Sequence, residues 1–283
     1  MLLETILITI TLIILFIASY TDLRTKEVPD WISYGFIFMA LGIRIIFSIG
    51  SDWFILFSGI LGLLLCFALA LIFYYTSQWG GGDSKLLMGI GASIGISIPF
   101  NNSSWDLFLY FTALLILGAI YGLIFMGYQA IRKRKIFTKA YLKSLRSNKK
   151  LHLTLLVISG LLLVLTMFQT SFWPIALLPL GLLYLFTFVD VVEKACFFQN
   201  ISPDRLTEGD WLAERVRVGK KVLLEPKTLE KDDLWELRFQ ANHGKIKEVL
   251  IKEGVPFIPS FLFAYLALIF GKSLFGWFLG FLA

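Results

Sequence analysis

LLETILITITLIILFIASYTDLRTKEVPDW, residues 2–31, holds an unbroken apolar run that stops at an aspartate, with Arg24 and Lys26 just beyond. A run of that length matches the roughly 20 residues a helix needs to cross a bilayer core. Inside lipid each backbone group must find its partner within the segment, so the run is helical. Glu4 is the only charge ahead of Thr21 and no small-residue cleavage site follows, so 1–20 reads as a retained span and not a cleaved signal.

The rest of the 283 residues repeats the pattern. Hydrophobic residues make up 57% and charged residues 16% of the chain, against about 25% charged in a soluble domain. Eight spans are expected, near 2–20, 31–50, 53–78, 84–100, 105–128, 152–169, 172–192 and 255–282. The segment 152–192 is too long for one ordinary span, and QTSFWP breaks it into a hairpin. Arg44 and Lys272 are the cations inside spans, and both can snorkel.

Orientation follows from the connections. Arg24, Lys26 and Lys85 lie at one set of span ends, and 131–150 carries nine Lys and Arg with no acid. SIGSD (48–52), NNSSWD (101–106) and QTSFW (169–173) carry no basic residue. The two sets alternate, which puts the N-terminus outside and the basic sets in the cytoplasm. The net charge of +6 is thereby explained without nucleic acid. Cys66 and Cys196 stand far apart with no CxxC, and His152 and His243 are the only histidines. Neither a disulfide framework nor a metal site is indicated.

Residues 193–254 differ in kind, with twelve basic and twelve acidic residues. RVRVGKKVLL (215–224) alternates like a strand, Thr228 could cap a helix over 229–241, and KIKEVLIKE (245–253) could return as a second strand. The expected architecture is an all-α polytopic membrane protein with a small α+β cytoplasmic insert. Its parts are a core over 1–130, a basic cytoplasmic loop over 131–151, the hairpin 152–192, the insert 193–254 and a last span in 255–283.

Few carboxylates lie near a span. Asp22 follows the first directly, and Asp83 opens the fourth in QWGGGDSKLL. Two crossings separate them, so topology returns both to the cytoplasmic face. Two carboxylates suit hydrolysis of a peptide bond: one removes a proton from water while the other, protonated, polarises the carbonyl. Like charges at close range share one proton, and the titration belongs to the pair. Gly80, Gly81 and Gly82 remove each Cβ beside Asp83, which permits close backbone approach and positive φ. The bland alternative is also open, since span-end acids are common and Asp30 could simply cap the second span after Pro29. A transporter or channel is the competing class, because intramembrane acids often mark ion paths.

At these positions the chain resembles the type IV prepilin peptidases and archaeal preflagellin peptidases. Asp22-Leu-Arg-Thr-Lys-Glu-Val28-Pro29-Asp30 is similar to their D-x5-(I/V)-P-(N/D) segment, and Gly80-Gly81-Gly82-Asp83 matches their G-x-G-D motif. The resemblance covers about residues 1–130, and GDWL (209–212) and KEGVPFIPSF (252–261) look like the archaeal branch. It implies an aspartyl endopeptidase that removes leaders from type IV pilin-like or archaellin precursors at the cytoplasmic face. Asp22 and Asp83 would be catalytic, Gly80, Gly82, Val28 and Pro29 motif residues, and no metal or cofactor would be used. Glu27 and Asp30 are suggested to hold the basic leader, the alternative being solvated loop acids. The bacterial N-terminal domain with two CxxC pairs is missing, which implies no methyltransferase activity. The presenilin and signal peptide peptidase group shares G-x-G-D, but here Tyr20-Thr21-Asp22 is offset from its YD motif.

Overall fold

The structure is a computed structural model and describes residues 2–76, 78–97, 99–165, 173–219 and 221–282. The chain divides into two units, Met1–Gly122 with Val255–Ala283, and Leu123–Gly254.

The first unit is helical. Helix α1 (Leu2–Thr25) is followed by α2 (Asp30–Ile49), α3 (Phe54–Tyr75), α4 (Gly81–Ile94), the first part of α5 (Asp106–Arg132) and α10 (Ile258–Leu282). Lys26 stops α1 with a φ of 58°, the left-handed conformation that usually closes a helix with glycine. Pro29 then sits at the N-cap of α2, where its missing N–H costs nothing. Ile14, Leu15, Phe36, Leu86, Leu87, Ile90, Tyr110 and Phe261 form one buried cluster.

Helices α3 and α4 pack backbone to backbone. A Cβ on Gly62 would lie 2.1 Å from the Gly91 carbonyl oxygen, and one on Gly91 would lie 2.4 Å from that of Gly62. A Cβ on Gly89 would fall 2.3 Å from the Phe36 ring on α2. Small residues therefore seat α4 against both neighbours, as in membrane helix pairs generally.

Among the described residues five helices, α1, α2, α3, α5 and α8, are long and apolar enough to cross a bilayer. A sixth is counted if the bent pair α6–α7 is one span. The chain is thus a mostly α-helical polytopic membrane protein, and among the described residues five of the eight expected spans, or six with the bent pair, are matched by such helices. The fourth segment accounts for part of the difference. Helix α4 has 14 residues, about 21 Å at 1.5 Å per residue, which falls short of a hydrocarbon core roughly 30 Å thick. It stops at Gly95, whose φ is 72°. Helix α10 is apolar over Ile258–Gly271, and the side chain of Lys272 lies outside the described residues.

The second unit contains the end of α5, then α6 (Arg134–Ser147), α7 (Lys149–Leu165) and α8 (Trp173–Cys196). The segment 131–151, a loop by its charge, is thus largely helical. Helices α7 and α8 pack together, with the His152 ring 4.9 Å from that of Tyr184. The expected break at QTSFWP falls mostly on 166–172, outside the described residues.

The polar segment is α+β. Strand β5 (Val249–Lys252) pairs antiparallel with both β1 (Phe198–Ile201) and β2 (Trp211–Leu212). The stretch expected as one strand over 215–224 is a hairpin of β3 (Val216–Val218) and β4 (Lys221–Leu224), turned at Gly219 with a φ of 63°. Helix α9 (Lys231–Asn242) starts two residues later than expected. Its N-cap is Glu230, not Thr228, and the Glu230 N–H donates to Asp233 Oδ2 at 3.0 Å. Thr228 instead makes a β-bridge with Trp211. Leu206, Leu212, Leu229, Leu237 and Ile251 fill the core of this small domain.

Candidate active site

Asp22 lies in the last turn of α1 and is buried. Its Oδ2 accepts the Ile258 backbone N–H at 2.8 Å. Ile258 is the first residue of α10, so the donor is one of the amides a helix leaves without an internal partner. Asp83 is the third residue of α4 and half-buried. Its Oδ2 accepts the Gly80 N–H at 3.1 Å. Each carboxylate therefore has one oxygen tied to a backbone amide at the start of a helix.

Asp22 and Asp83 lie within Coulombic range of each other, and Lys26 and Tyr121 lie within range of Asp22. Both aspartates belong to the helical unit, Asp22 at the end of α1 and Asp83 at the start of α4.

The two motif segments also touch. Val28 is buried, and its Cβ lies 3.4 Å from where a Cβ on Gly82 would stand. Asp30 accepts from Lys85 Nζ at 2.6 Å, and Lys85 also lies 5.1 Å from the centre of the Tyr34 ring. Asp30 is in the first turn of α2 but is not its cap, which is Pro29. Its carboxylate is 66% exposed and paired with Lys85 across to α4. Glu27 accepts the Thr25 hydroxyl through its backbone oxygen.

Of the three glycines only Gly82 shows the expected close approach, against Val28. None of Gly80, Gly81 and Gly82 has a positive φ. Gly81 faces open space, and Gly80 would meet only the Asp83 carboxylate. The close helix packing comes instead from Gly62, Gly89 and Gly91, further along α3 and α4.

Two features escaped sequence reasoning. One is the Ile258 amide, which lies in the PFIPSF stretch picked out only by resemblance. The other is Arg44, read as a snorkelling cation but found buried. Its Nε donates to the Ala92 oxygen at 2.8 Å, and Nη2 donates to those of Ser93 at 2.8 Å and Ile94 at 3.0 Å. Nη1 reaches the Ile55 oxygen at 2.9 Å. Arg44 thus satisfies the carbonyls of the last turn of α4, which would otherwise be orphaned at its early stop. A planar guanidinium with five donors suits that task, and the α4 dipole favours a cation there.

Aromatic rings border the GGGD segment. Trp79 stacks on Phe73 at 4.4 Å and lies 6.0 Å from Phe257 and 5.5 Å from Phe261. Among the described residues no three His, Cys, Asp or Glu side chains converge as metal ligands would. Two neighbouring carboxylates, each with one oxygen fixed, can divide base and acid roles toward a water molecule.

Residues 9–126 match the type IV leader peptidase family, a segment that contains both aspartates, Val28–Asp30 and Arg44. The preflagellin peptidase of Methanococcus maripaludis is 39% identical over 85 residues, which is 28% of this chain and 35% of that protein. The preflagellin peptidase of Methanocaldococcus jannaschii is 36% identical over 81 residues, 28% of this chain and 34% of that protein. The chain thus spans about a third of the length of the curated relatives it matches. No solved structure gives a significant match. Over residues 9–126 the chain is similar to the type IV leader peptidase family.

Proposed function

We propose that this protein is a membrane aspartyl endopeptidase that removes the leader from type IV pilin-like or archaellin precursors at the cytoplasmic membrane face. The observation that carries this is that the segments holding Asp22 and Asp83 meet, through Val28 against Gly82 and Asp30 with Lys85, inside the stretch that matches leader peptidases. The names of the two relatives point to flagellin precursors as the substrate class.

In this mechanism the pair holds one proton and one water. The ionised aspartate takes a proton from the water as its oxygen attacks the scissile carbonyl. The protonated aspartate donates to the carbonyl oxygen, and the amine leaves with a proton returned through the pair. Because the Oδ2 atoms are tied to Ile258 and Gly80, the two Oδ1 atoms are the ones that would hold the water. The open space over Gly81 would admit an extended substrate backbone beside Asp83. A leader cation could engage the Asp30 carboxylate, which is 66% exposed, beside Lys85 on Oδ1.

A cleavage assay tests the proposal. Membranes holding the parent, Asp22→Asn or Asp83→Asn protein at equal abundance are mixed with tagged pilin and archaellin precursors carrying basic leaders. Each substitution should lower the cleavage rate by at least roughly 10²-fold, the usual contribution of an acid–base group. Cleavage by both variants at the parental rate would make the aspartates structural.

A further inference from the structure

An aromatic residue precedes each of the two amides that hold the aspartates. Trp79 comes directly before Gly80, whose N–H donates to Asp83, and Phe257 directly before Ile258, whose N–H donates to Asp22. A peptide group is planar, so the N–H of one residue lies in a plane with the Cα of the residue before it. The direction of each donor is therefore tied to the placement of the aromatic that precedes it.

That tie matters most at Gly80. Gly80, Gly81 and Gly82 have no side chain to anchor their backbone, and glycine is conformationally permissive. Trp79 supplies the anchor and is itself fixed twice. Its N–H donates to the Phe73 oxygen at 3.2 Å, and its ring stacks on the Phe73 ring at 4.4 Å. Around Phe257 and Ile258 the chain is stiffened by Pro256 and Pro259. A Cβ on Gly118 would lie 2.6 Å from the Phe257 ring, so that ring is seated on the bare backbone of α5. The two anchors then meet. The ring centres of Trp79 and Phe257 are 6.0 Å apart, within the range over which aromatic pairs attract. Phe261, in the first turn of α10, closes the group at 5.5 Å from Trp79 and 6.0 Å from Phe257.

We infer that Trp79 and Phe257 are positioning residues, whose ring contact couples the two peptide planes that orient Asp22 and Asp83. This role rests on the peptidase reading, in which the coupling sets the spacing of the two Oδ1 atoms around the water.

The test has two readouts, one of them independent of cleavage. In the full chain in detergent, isotope-labelled glycine and isoleucine report the Gly80 and Ile258 amides by NMR, assigned through Gly80→Ala and Ile258→Val. Phe257→Leu should shift the Gly80 amide, and Trp79→Leu the Ile258 amide. Trp105→Leu removes a ring that packs on Phe100 and Phe108 instead, and should move neither. The same spectra show that each variant is folded. Cleavage of a tagged precursor is the second readout. Trp79→Leu should lower kcat by about 10²-fold with KM unchanged, as a displacement of about 1 Å in a reacting pair does. Trp79→Phe keeps a ring against Phe257 and should lie closer to the parent than to Trp79→Leu. The double Leu variant should be no slower than the slower single, because the same contact is lost either way. A raised KM at unchanged kcat would overturn the proposal, since the rings would then touch the precursor and not position the pair. Amides that each respond only to their own neighbour would also overturn it. Cross-response of the amides in a protein that cuts no precursor would support the coupling and remove the peptidase reading instead.

Discussion

The helical unit around Asp22 and the small domain within 193–254 are stabilised by opposite means. In the first, glycines bring backbones into contact, and a buried Arg44 spends its donors on main-chain carbonyls. In the second, leucine and isoleucine side chains fill an ordinary core. There the charged residues pair at the surface, as Arg215 does with Glu225 at 2.6 Å and Lys231 with Glu208 at 3.6 Å. The difference follows from the solvent. In lipid, apolar side chains gain little by meeting each other, so close backbone contact and internally satisfied polar groups decide the packing. In water, burial of apolar side chains does the work and exposed ion pairs add little. Both proposed catalytic aspartates stand in the unit with the tighter backbone constraint. Such a scaffold suits a reacting pair, because small displacements are costly to rate.

Arg44 offers the largest contrast. Arg44→Met would orphan the oxygens of Ala92, Ser93 and Ile94 in a buried site, where each unsatisfied group costs about 1–3 kcal/mol. A loss of at least about 3 kcal/mol is expected in thermal unfolding of the detergent-solubilised protein. Because α4 carries Asp83, leader cleavage should fall as well. The same change at Arg215, whose side chain is 58% exposed, should cost under about 1 kcal/mol. Equal effects at the two arginines would mean that α4 does not depend on its cation.

Glycine substitutions sharpen the comparison on a smaller scale. Gly62→Ala pushes a methyl against the Gly91 oxygen at 2.1 Å, and backbone cannot yield as a side chain would. Overpacking of this kind costs roughly 1–3 kcal/mol. Gly160 in α7 and Gly181 in α8 have open space where a Cβ would stand. Alanine at either should be neutral or stabilise by up to about 1 kcal/mol through helix propensity. The comparison breaks if Gly62→Ala melts with the parent while Gly160→Ala does not.

These tests also mark where sequence reasoning succeeded and where it stopped. The common face proposed for Asp22 and Asp83 needs only a count of crossings and the side on which each residue emerges. Strand β5 and the helix near 229–241 were legible because alternation and helical spacing are local. The capping of the end of α4 by Arg44 was not, because the donor comes from a different helix 48 positions away in sequence. The Ile258 amide on Asp22 was hidden for the same reason, at a separation of 236 residues. Strands β1 and β2 are only four and two residues long, too short for alternation to register. Thr228 is a capping residue type, but its pairing with Trp211 fixes it in the sheet.

The smallest effect belongs to the small domain and is read through pH. Burial alone would raise the pKa of the Asp233 carboxyl. The Lys227 ammonium at 2.8 Å and the Glu230 N–H outweigh burial and hold it below its ordinary value of 3.8. The folded state therefore favours the carboxylate. Its contribution is fully present above the ordinary carboxylate pKa and is lost as pH falls through the depressed folded value. Asp233→Asn keeps an acceptor for the Glu230 N–H but gives up the charge. At neutral pH that variant should be less stable than the parent by under about 1 kcal/mol, since Lys227 is part-exposed and screened. Hydrogen exchange over 231–252, corrected for intrinsic rates, measures the difference in the intact protein. The two proteins should converge below about pH 3, where the carboxyl is protonated in the unfolded state and is becoming so in the folded one. A gap that persists unchanged from neutral pH to that point would mean that shape, not charge, distinguishes the two side chains at the start of α9.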